Sequence, residues 1–416
     1  MRYLSESKGT GGTIKKSADQ FIVKEITKNG KILELGKNYT FEELGAIEDK
    51  EGKFVTFVLQ KTEWNTISAL QVVAKRLGRG VKSVGYAGMK DRNATTTQLA
   101  SIFGAKPEAL SGVKTKDISI NGAWQSKNGV EMGELLGNSF DVVISDCNPS
   151  NIEKISEELD SKILNYFDAQ RFGNRLNNFK VGMHILKNDP EGAVMELLTS
   201  TVNERNEEAV QARKTLLEER DFGRALQYFP GYLKQERSML YALSREGTDF
   251  ARALRSIPRG ISIMFIHAVE ALIFNYATEL MAKEDTLDKA KLFCSQDLYG
   301  FPDIKSVSAE RNLIPVSTIV GYETDDERID DYQRAVLEEL GITKESFKIK
   351  SMPELSMRGT YRPIVTPFKD FGYEGMDDSA RVRFSLPSGS YATILLGEIT
   401  KTEPLDLKLV APDLKL

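Results

Sequence analysis

The sequence predicts an α+β fold interrupted by a long helical segment, and three observations predict it. In the first 165 residues, strand-like runs and helical periodicities mix without a strict strand–helix–strand rhythm, which disfavours a doubly wound sheet. From about residue 171 to 357, helical patterns dominate. Strand texture then returns near the C-terminus, so the last strands are expected to join the first in one domain, with the helix-rich part inserted between them.

The elements follow in chain order. Residues 9–12, Gly-Thr-Gly-Gly, form a lead-in, and residues 13–27 carry Phe21 and Val23 among polar neighbours, as a strand does. Residues 53–60 hold Phe54, Val55, Phe57, Val58 and Leu59, a second β-prone run. Ile67, Leu70, Val73 and Leu77 fall on one face of a helix over 66–77, with Asn65 or Thr66 placed to cap it. A strand is expected over 137–144, then a helix opened by Pro149-Ser150-Asn151 and running to about 165. Further helices are expected over 190–198, 204–220, 235–254 and 261–283, and short strands over 313–316, 317–321, 380–386 and 391–399. The helix over 261–283 is apolar but is interrupted by His267, Glu270, Asn275 and Glu279, which reads as a buried core helix rather than a membrane span.

Composition narrows the function classes. The chain has 416 residues, 41% hydrophobic and 28% charged, ordinary values for a globular protein with a real core. Two cysteines and two histidines leave little for a disulfide framework, a structural zinc site or a histidine-based catalytic cluster. The N-terminus lacks the apolar core of a secretory signal, so a cytoplasmic location is expected. A phosphate-loop look-alike at 30–37 has the wrong spacing, with Asn38 where Ser or Thr is needed, and residues 9–12 lack the strand and helix of a dinucleotide site. No nucleotide, metal or other cofactor is expected. The net charge of −4 argues against indiscriminate nucleic-acid binding, yet residues 61–92 hold seven cations against two acids. Lys75, Arg76, Arg79, Lys82 and Arg92 in that stretch are the candidate RNA-phosphate contacts.

The most informative segment runs from Gly85 to Gln98 and reads GYAGMKDRNATTTQ. Two glycines beside a carboxylate flanked by Lys90 and Arg92 point to an unusual backbone, and opposite charges on either side favour an ionised Asp91. Taken alone, the segment reads more readily as a surface loop with an Asx turn.

Position by position over Gly88, Lys90, Asp91, Ala94, Thr96 and Gln98, this segment resembles the signature of the TruD pseudouridine synthases. Other blocks agree in order: Lys15 to Glu25, with Gln20 where that family has Asp; Gly137-Asn138-Ser139-Phe140; Asn165 to Gly173, with Asp168 where Gly is common; and Leu386 to Thr393, followed by Gly397 where that family often has Arg. The middle of the chain matches the family only in length and helical texture.

The resemblance implies a pseudouridine synthase catalytic domain with a mixed, largely antiparallel sheet, built from 1–170 and 358–416, and an inserted helix-rich α/β TRUD domain over 171–357. It implies an isomerase acting on tRNA, typically on uridine-13, with Asp91 as the catalytic carboxylate and Lys15 beside it. Asn165, Phe167 and Tyr391 would meet the uracil, with Arg171 and Lys90 also at the substrate. The chemistry asks for little else. Breaking the N1–C1′ bond and rejoining the base through C5 is an isomerisation, in which a carboxylate attacks C1′ or removes a proton, and an aromatic wall can hold the extruded base. A non-catalytic RNA-binding or tRNA-chaperone protein on the same fold shares the basic cleft but not the need for Asp91. A metal-dependent nuclease needs clustered carboxylates that are absent around Asp91.

Overall fold

The structure is a computed structural model that describes residues 1–113, 115–287, 290, 292–295, 304–305, 313–402 and 405–415. The early strands are β1 Phe21–Thr27, β2 Phe54–Thr62, β3 Val84–Tyr86, β4 Thr95–Phe103, β5 Ile118–Ser126, β6 Leu135–Ser145 and β7 Lys162–Leu164. Later come β8 Leu292–Ser295, β9 Ile304–Lys305, β10 Leu313–Ile319, β11 Thr360–Pro363, β12 Val365–Pro367, β13 Lys369–Gly375 and β14 Ser379–Pro387.

An 8-stranded sheet has the order β13-β14-β6-β1-β4-β2-β5, with β3 on β4. Only the β1–β4 pair in it is parallel, so the sheet is mixed and largely antiparallel. The C-terminal strands do complete it: β14 lies along β6 from Ser379↔Ser145 to Pro387↔Gly137. Alternation decides which side chains face inward. Val55, Phe57 and Leu59 of β2 pack with Leu70 and Val73 of the helix Thr66–Arg76. On the neighbouring strands, Phe21, Val142 and Val382 pack with Ile155 and Leu396, which belong to the helices Ile152–Leu159 and Ala392–Thr400.

The helical segment builds a separate core around the helix Arg259–Lys283. That helix is long and apolar enough to cross a membrane, but 72% of its apolar window is buried inside the protein. Its neighbour Asn178–Leu186 approaches closely at Gly182, where a Cβ would lie 2.2 Å from the Phe265 carbonyl oxygen. A second sheet, β11-β10-β8-β9, accompanies this core, and Leu407, Val410 and Leu414 return to it from the C-terminus.

Four elements differ from the sequence reading, each for a local reason. The helix expected to reach 165 stops at Leu159, because Asp160 and Ser161 both turn left-handed (φ 45° and 57°) and the chain enters β7 to pair with β12. The helix expected over 235–254 breaks at Gly247 (φ 69°) into Lys234–Glu246 and Phe250–Arg255, the second capped by Asp249. The strands expected over 313–316 and 317–321 are one strand, β10. Residues 391–399 form a helix rather than a strand: Ala392, Leu395, Leu396 and Ile399 are buried at helical spacing.

Gly182→Ala should strain the helix crossing and lower stability by about 1–3 kcal/mol. An unchanged midpoint in urea denaturation would show that the crossing tolerates a side chain there.

Candidate active site

β3 runs antiparallel to β4, and the 87–94 loop joins them over the sheet. Neither Gly85 nor Gly88 takes a positive φ, so the glycines are not explained by a left-handed turn. Gly85 is required by close approach instead, since a Cβ there would lie 2.3 Å from the Val130 carbonyl oxygen. The left-handed residue at this site is Lys15, at φ 61°, an uncommon state for a side-chain-bearing residue.

The loop is pinned at nearly every residue. Gly133 N–H donates to the Ala87 carbonyl (2.7 Å), Gln98 Nε2 to the Gly88 carbonyl (2.9 Å) and Lys90 N–H to Thr66 Oγ1 (2.9 Å). Lys61 Nζ donates to the Asp91 carbonyl from beneath (2.7 Å). The Asp91 carboxylate itself meets Lys15 Nζ at 2.5 Å, with its side chain 35% exposed. Lys15 also lies over the Phe21 ring, 4.2 Å from its centroid, which fixes its approach. The adjacent Lys16 pairs with Asp146 instead.

Burial pushes the Lys61 ammonium down to about 8; the Asp91 charge opposes this and the neighbouring Lys90 charge adds to it. Lys90 does not face the cleft. It is buried, with Nζ 2.6 Å from Glu25 Oε2, while Glu25 Oε1 accepts from Leu99 N–H. Its expected role at the substrate is therefore replaced by an internal ion pair that anchors the loop to β1.

A second group of side chains forms a wall. Asn165 follows β7, and its amide is engaged internally: Nδ2 donates to the Pro363 carbonyl (3.0 Å), and Oδ1 accepts from Arg362 Nη2 (2.8 Å). The uracil-reading role expected of this amide is thus in competition with bonds that hold the wall together. The Phe167 backbone is clamped by Asn275 of the long helix, which accepts from its N–H (2.9 Å) and donates to its carbonyl (2.8 Å). The Phe167 ring makes edge contacts with Phe274 (5.6 Å) and Tyr391 (6.3 Å). Arg171 Nη2 donates to the Tyr391 hydroxyl (3.2 Å).

Loop and wall converge on the start of β6. Gly133 holds Ala87, Leu135 lies against Gly88, and the Leu136 carbonyl accepts from Ser388 N–H in the loop that leads to Tyr391. Behind the wall, Ile14, Tyr166, Asp168 and Thr393 line one cavity of about 240 Å³, so the residue before Lys15 and the residues flanking Phe167 and Tyr391 are neighbours.

All of the expected basic residues except Arg92 lie away from this site. Arg92 is exposed beside Asp91. Lys75 and Arg76 occupy the last turn of a helix whose first residue, Thr66, anchors Lys90, about 15 Å away by helical rise. Arg79 donates to the Gly104 carbonyl and lines a groove with Lys82 and Phe103. That is the far end of β4, roughly 25–30 Å from the Asp91 end by strand rise. The chain leaves the loop region along the helix and returns along β3, so nearness in sequence misled.

Two residues at the site were not singled out from sequence, Lys61 and Arg362. Lys61 carried a signal: it continues the inward phase of Val55, Phe57 and Leu59. Arg362 carried none, since its burial is created by β7, Gly389 and Phe167 from distant parts of the chain. Among the described residues, no group of three His, Cys, Asp or Glu is placed to hold a metal ion.

Similarity to known proteins extends along nearly the whole chain. The family profile described as tRNA pseudouridine synthase D (TruD) matches residues 1–399. A probable tRNA pseudouridine synthase D 2 of Methanococcus maripaludis is 32% identical over 405 residues, covering 96% of this chain and 97% of its own length. A probable tRNA pseudouridine synthase D of Archaeoglobus fulgidus is 31% identical, covering 96% and 97%. The crystal structure of a putative tRNA pseudouridine synthase D from Methanosarcina mazei superposes with a TM-score of 0.74 at 27% identity, over 97% of both chains.

Between pH 8 and 10.5 the unfolded chain keeps a proton on Lys61 that the folded chain has released. This group's contribution to stability therefore rises with pH across that window. Lys61→Met should flatten the rise in denaturation midpoints measured from pH 7.5 to 10; equal slopes in the two proteins would refute the perturbed ammonium.

Proposed function

The chain belongs to the TruD family of tRNA pseudouridine synthases, and from that premise we propose that it converts uridine-13 of tRNA to pseudouridine with Asp91 as the reacting carboxylate. The observation that carries this reading is the Asp91 carboxylate in contact with Lys15, on a loop tied down by Lys61 and by the Lys90–Glu25 pair, with the loop and the aromatic wall both reaching the start of β6.

In this reading the target nucleotide leaves its stack and its uracil meets Phe167 and Tyr391, recovering about 1–3 kcal/mol by stacking. Asp91 then either attacks C1′ or abstracts a proton from C2′, both as the carboxylate. As the N1–C1′ bond breaks, the base carries negative charge, which Lys15 is placed to stabilise. The base turns, C5 bonds to C1′, and the C5 proton is lost while N1 gains one, so atoms balance without a co-reactant.

The same reading assigns 1–170 and 358–416 to the catalytic unit and 171–357 to the inserted TRUD domain, in a cytoplasmic enzyme. The separate helical core around Arg259–Lys283 supports the inserted unit, while Leu407, Val410 and Leu414 pack into that core and β11 pairs with β10, so the two units share contacts at the C-terminal end. The Lys75, Arg76, Arg79 and Lys82 surface serves tRNA phosphates away from the reacting nucleotide, a long footprint that suits a folded RNA.

Asp91→Asn should bind tRNA within about threefold of the wild type and lose at least about 10³-fold in turnover, comparable to removing other reacting groups. Mapping of pseudouridine in tRNA with purified proteins checks this, and full activity in the folded variant would reduce the protein to an RNA-binding role. Charge reversal at Lys75 and Arg76 should leave turnover at saturation intact, weaken binding, and flatten the slope of log affinity against log salt by about 0.7–0.9 per lost phosphate contact. An unchanged slope would remove the patch from the interface.

A further inference from the structure

Arg362 is a buried cation with no carboxylate against it among the described residues. Its Nε and Nη2 donate to the backbone oxygen (2.9 Å) and Oδ1 (2.8 Å) of Asn165, and its Nη1 donates to the Gly389 carbonyl (3.0 Å). Its guanidinium carbon stands 4.0 Å from the centroid of the Phe167 ring. A second guanidinium, that of Arg171, stands 5.2 Å from the same centroid. Arg171 is also without a carboxylate among the described residues; one nitrogen donates to the Tyr391 hydroxyl, while its buried Nε has no acceptor.

Two cations thus share one aromatic ring, and neither is neutralised. Burial pushes the Arg362 guanidinium down to about 10; Tyr391 opposes this and the Arg171 charge adds to it. Buried cations are ordinarily paired, and a buried N–H ordinarily finds an acceptor. Here the protein supplies carbonyls, an amide, a hydroxyl and a ring face, but no anion. RNA carries one at each internucleotide linkage, and a guanidinium fork matches phosphate oxygens.

We propose that Arg171 and Arg362 form an anion site beside Phe167 that takes one of the two phosphates flanking the extruded uridine. The site rests on the reading of Phe167 and Tyr391 as the wall that receives the base. Arg362 is the inner member: it fixes Asn165, the Phe167 ring and the loop before Tyr391. Arg171 is the outer member: it is only partly buried, and its Nη1, bonded to none of the other described residues and not enclosed, is the donor left for a phosphate oxygen. Gripping the backbone beside the base holds the nucleotide out of its stack and fixes the sugar, where the bond exchange occurs.

The test uses full-length tRNA assembled by ligation, with a neutral methylphosphonate replacing, in turn, the phosphate 5′ and the phosphate 3′ of the target uridine. Pseudouridine formation is measured with the wild type and with Arg171→Gln, whose position at the rim makes it the safer variant to fold; thermal melting and circular dichroism check that it does. At one of the two linkages the wild type should lose about 10- to 100-fold in kcat/KM, as expected for a lost charge-assisted contact. Arg171→Gln should show a similar loss on unmodified tRNA, and no more than about threefold further loss on that neutral linkage. Wild-type activity indifferent to both substitutions overturns the site. So do two losses that simply multiply, which would make Arg171 a structural residue. A wild type that forms no pseudouridine in unmodified tRNA overturns the underlying functional reading, and this site with it.

Discussion

The Lys15–Asp91 ion pair, an ammonium and a carboxylate 2.5 Å apart in a half-covered cleft, is the interaction around which this region is built. The rest of the region reads as support for it. Lys15 is held in a left-handed backbone state and leans on Phe21. Lys61 bonds the Asp91 backbone from the sheet below, and the Lys90–Glu25 pair ties the preceding residue to β1. A buried pair of that kind adds little net stability over an apolar packing, but its geometry is costly to break. Its value is positional, because it stops the loop from sliding across the sheet.

The wall opposite the loop depends on both halves of the molecule. Asn165 follows β7 and Tyr391 follows β14, whereas Phe167 is clamped by Asn275 and packed on Phe274 of the long buried helix. Arg362, at the end of the strand that returns from the helical part, joins Asn165 to Gly389. The helical core therefore does more than enlarge the protein: it fixes the Phe167 ring, the proposed stacking surface. A set of contacts drawn from residues 165, 275, 362 and 389 is rigid only when the whole fold is formed, which suits a site that must hold an extruded nucleotide in one orientation.

Charge is distributed in two tiers. Close to Asp91 are cations that are buried or engaged, namely Lys61, Lys90 and Lys15. Far along β4 and at the end of the helix Thr66–Arg76 are exposed ones. The first tier acts at short range in a low-dielectric setting, while the second is screened by salt within about 10 Å. An overall negative chain can thus present cations where they are useful without becoming a general polyanion binder.

The family resemblance implied Lys15 beside Asp91; sequence alone determined the α+β class, the Gly85–Gln98 loop with Asp91 at its centre, and the buried character of the long helix. These are local patterns, in which alternation, helical spacing and a contiguous motif each declare themselves within a few residues. It also contained, unread, the inward phase of Lys61 and the helical spacing of Ala392, Leu395, Leu396 and Ile399. Only the tertiary structure decided that Lys90 turns inward to Glu25, that the Asn165 amide is committed to Arg362 and Pro363, and that the Arg79 and Lys82 groove lies a strand's length from Asp91. The physical reason is that each of these depends on which partner reaches a side chain first, and the partners come from segments tens to hundreds of residues apart, brought together by sheet pairing and core packing rather than by any pattern written along the chain.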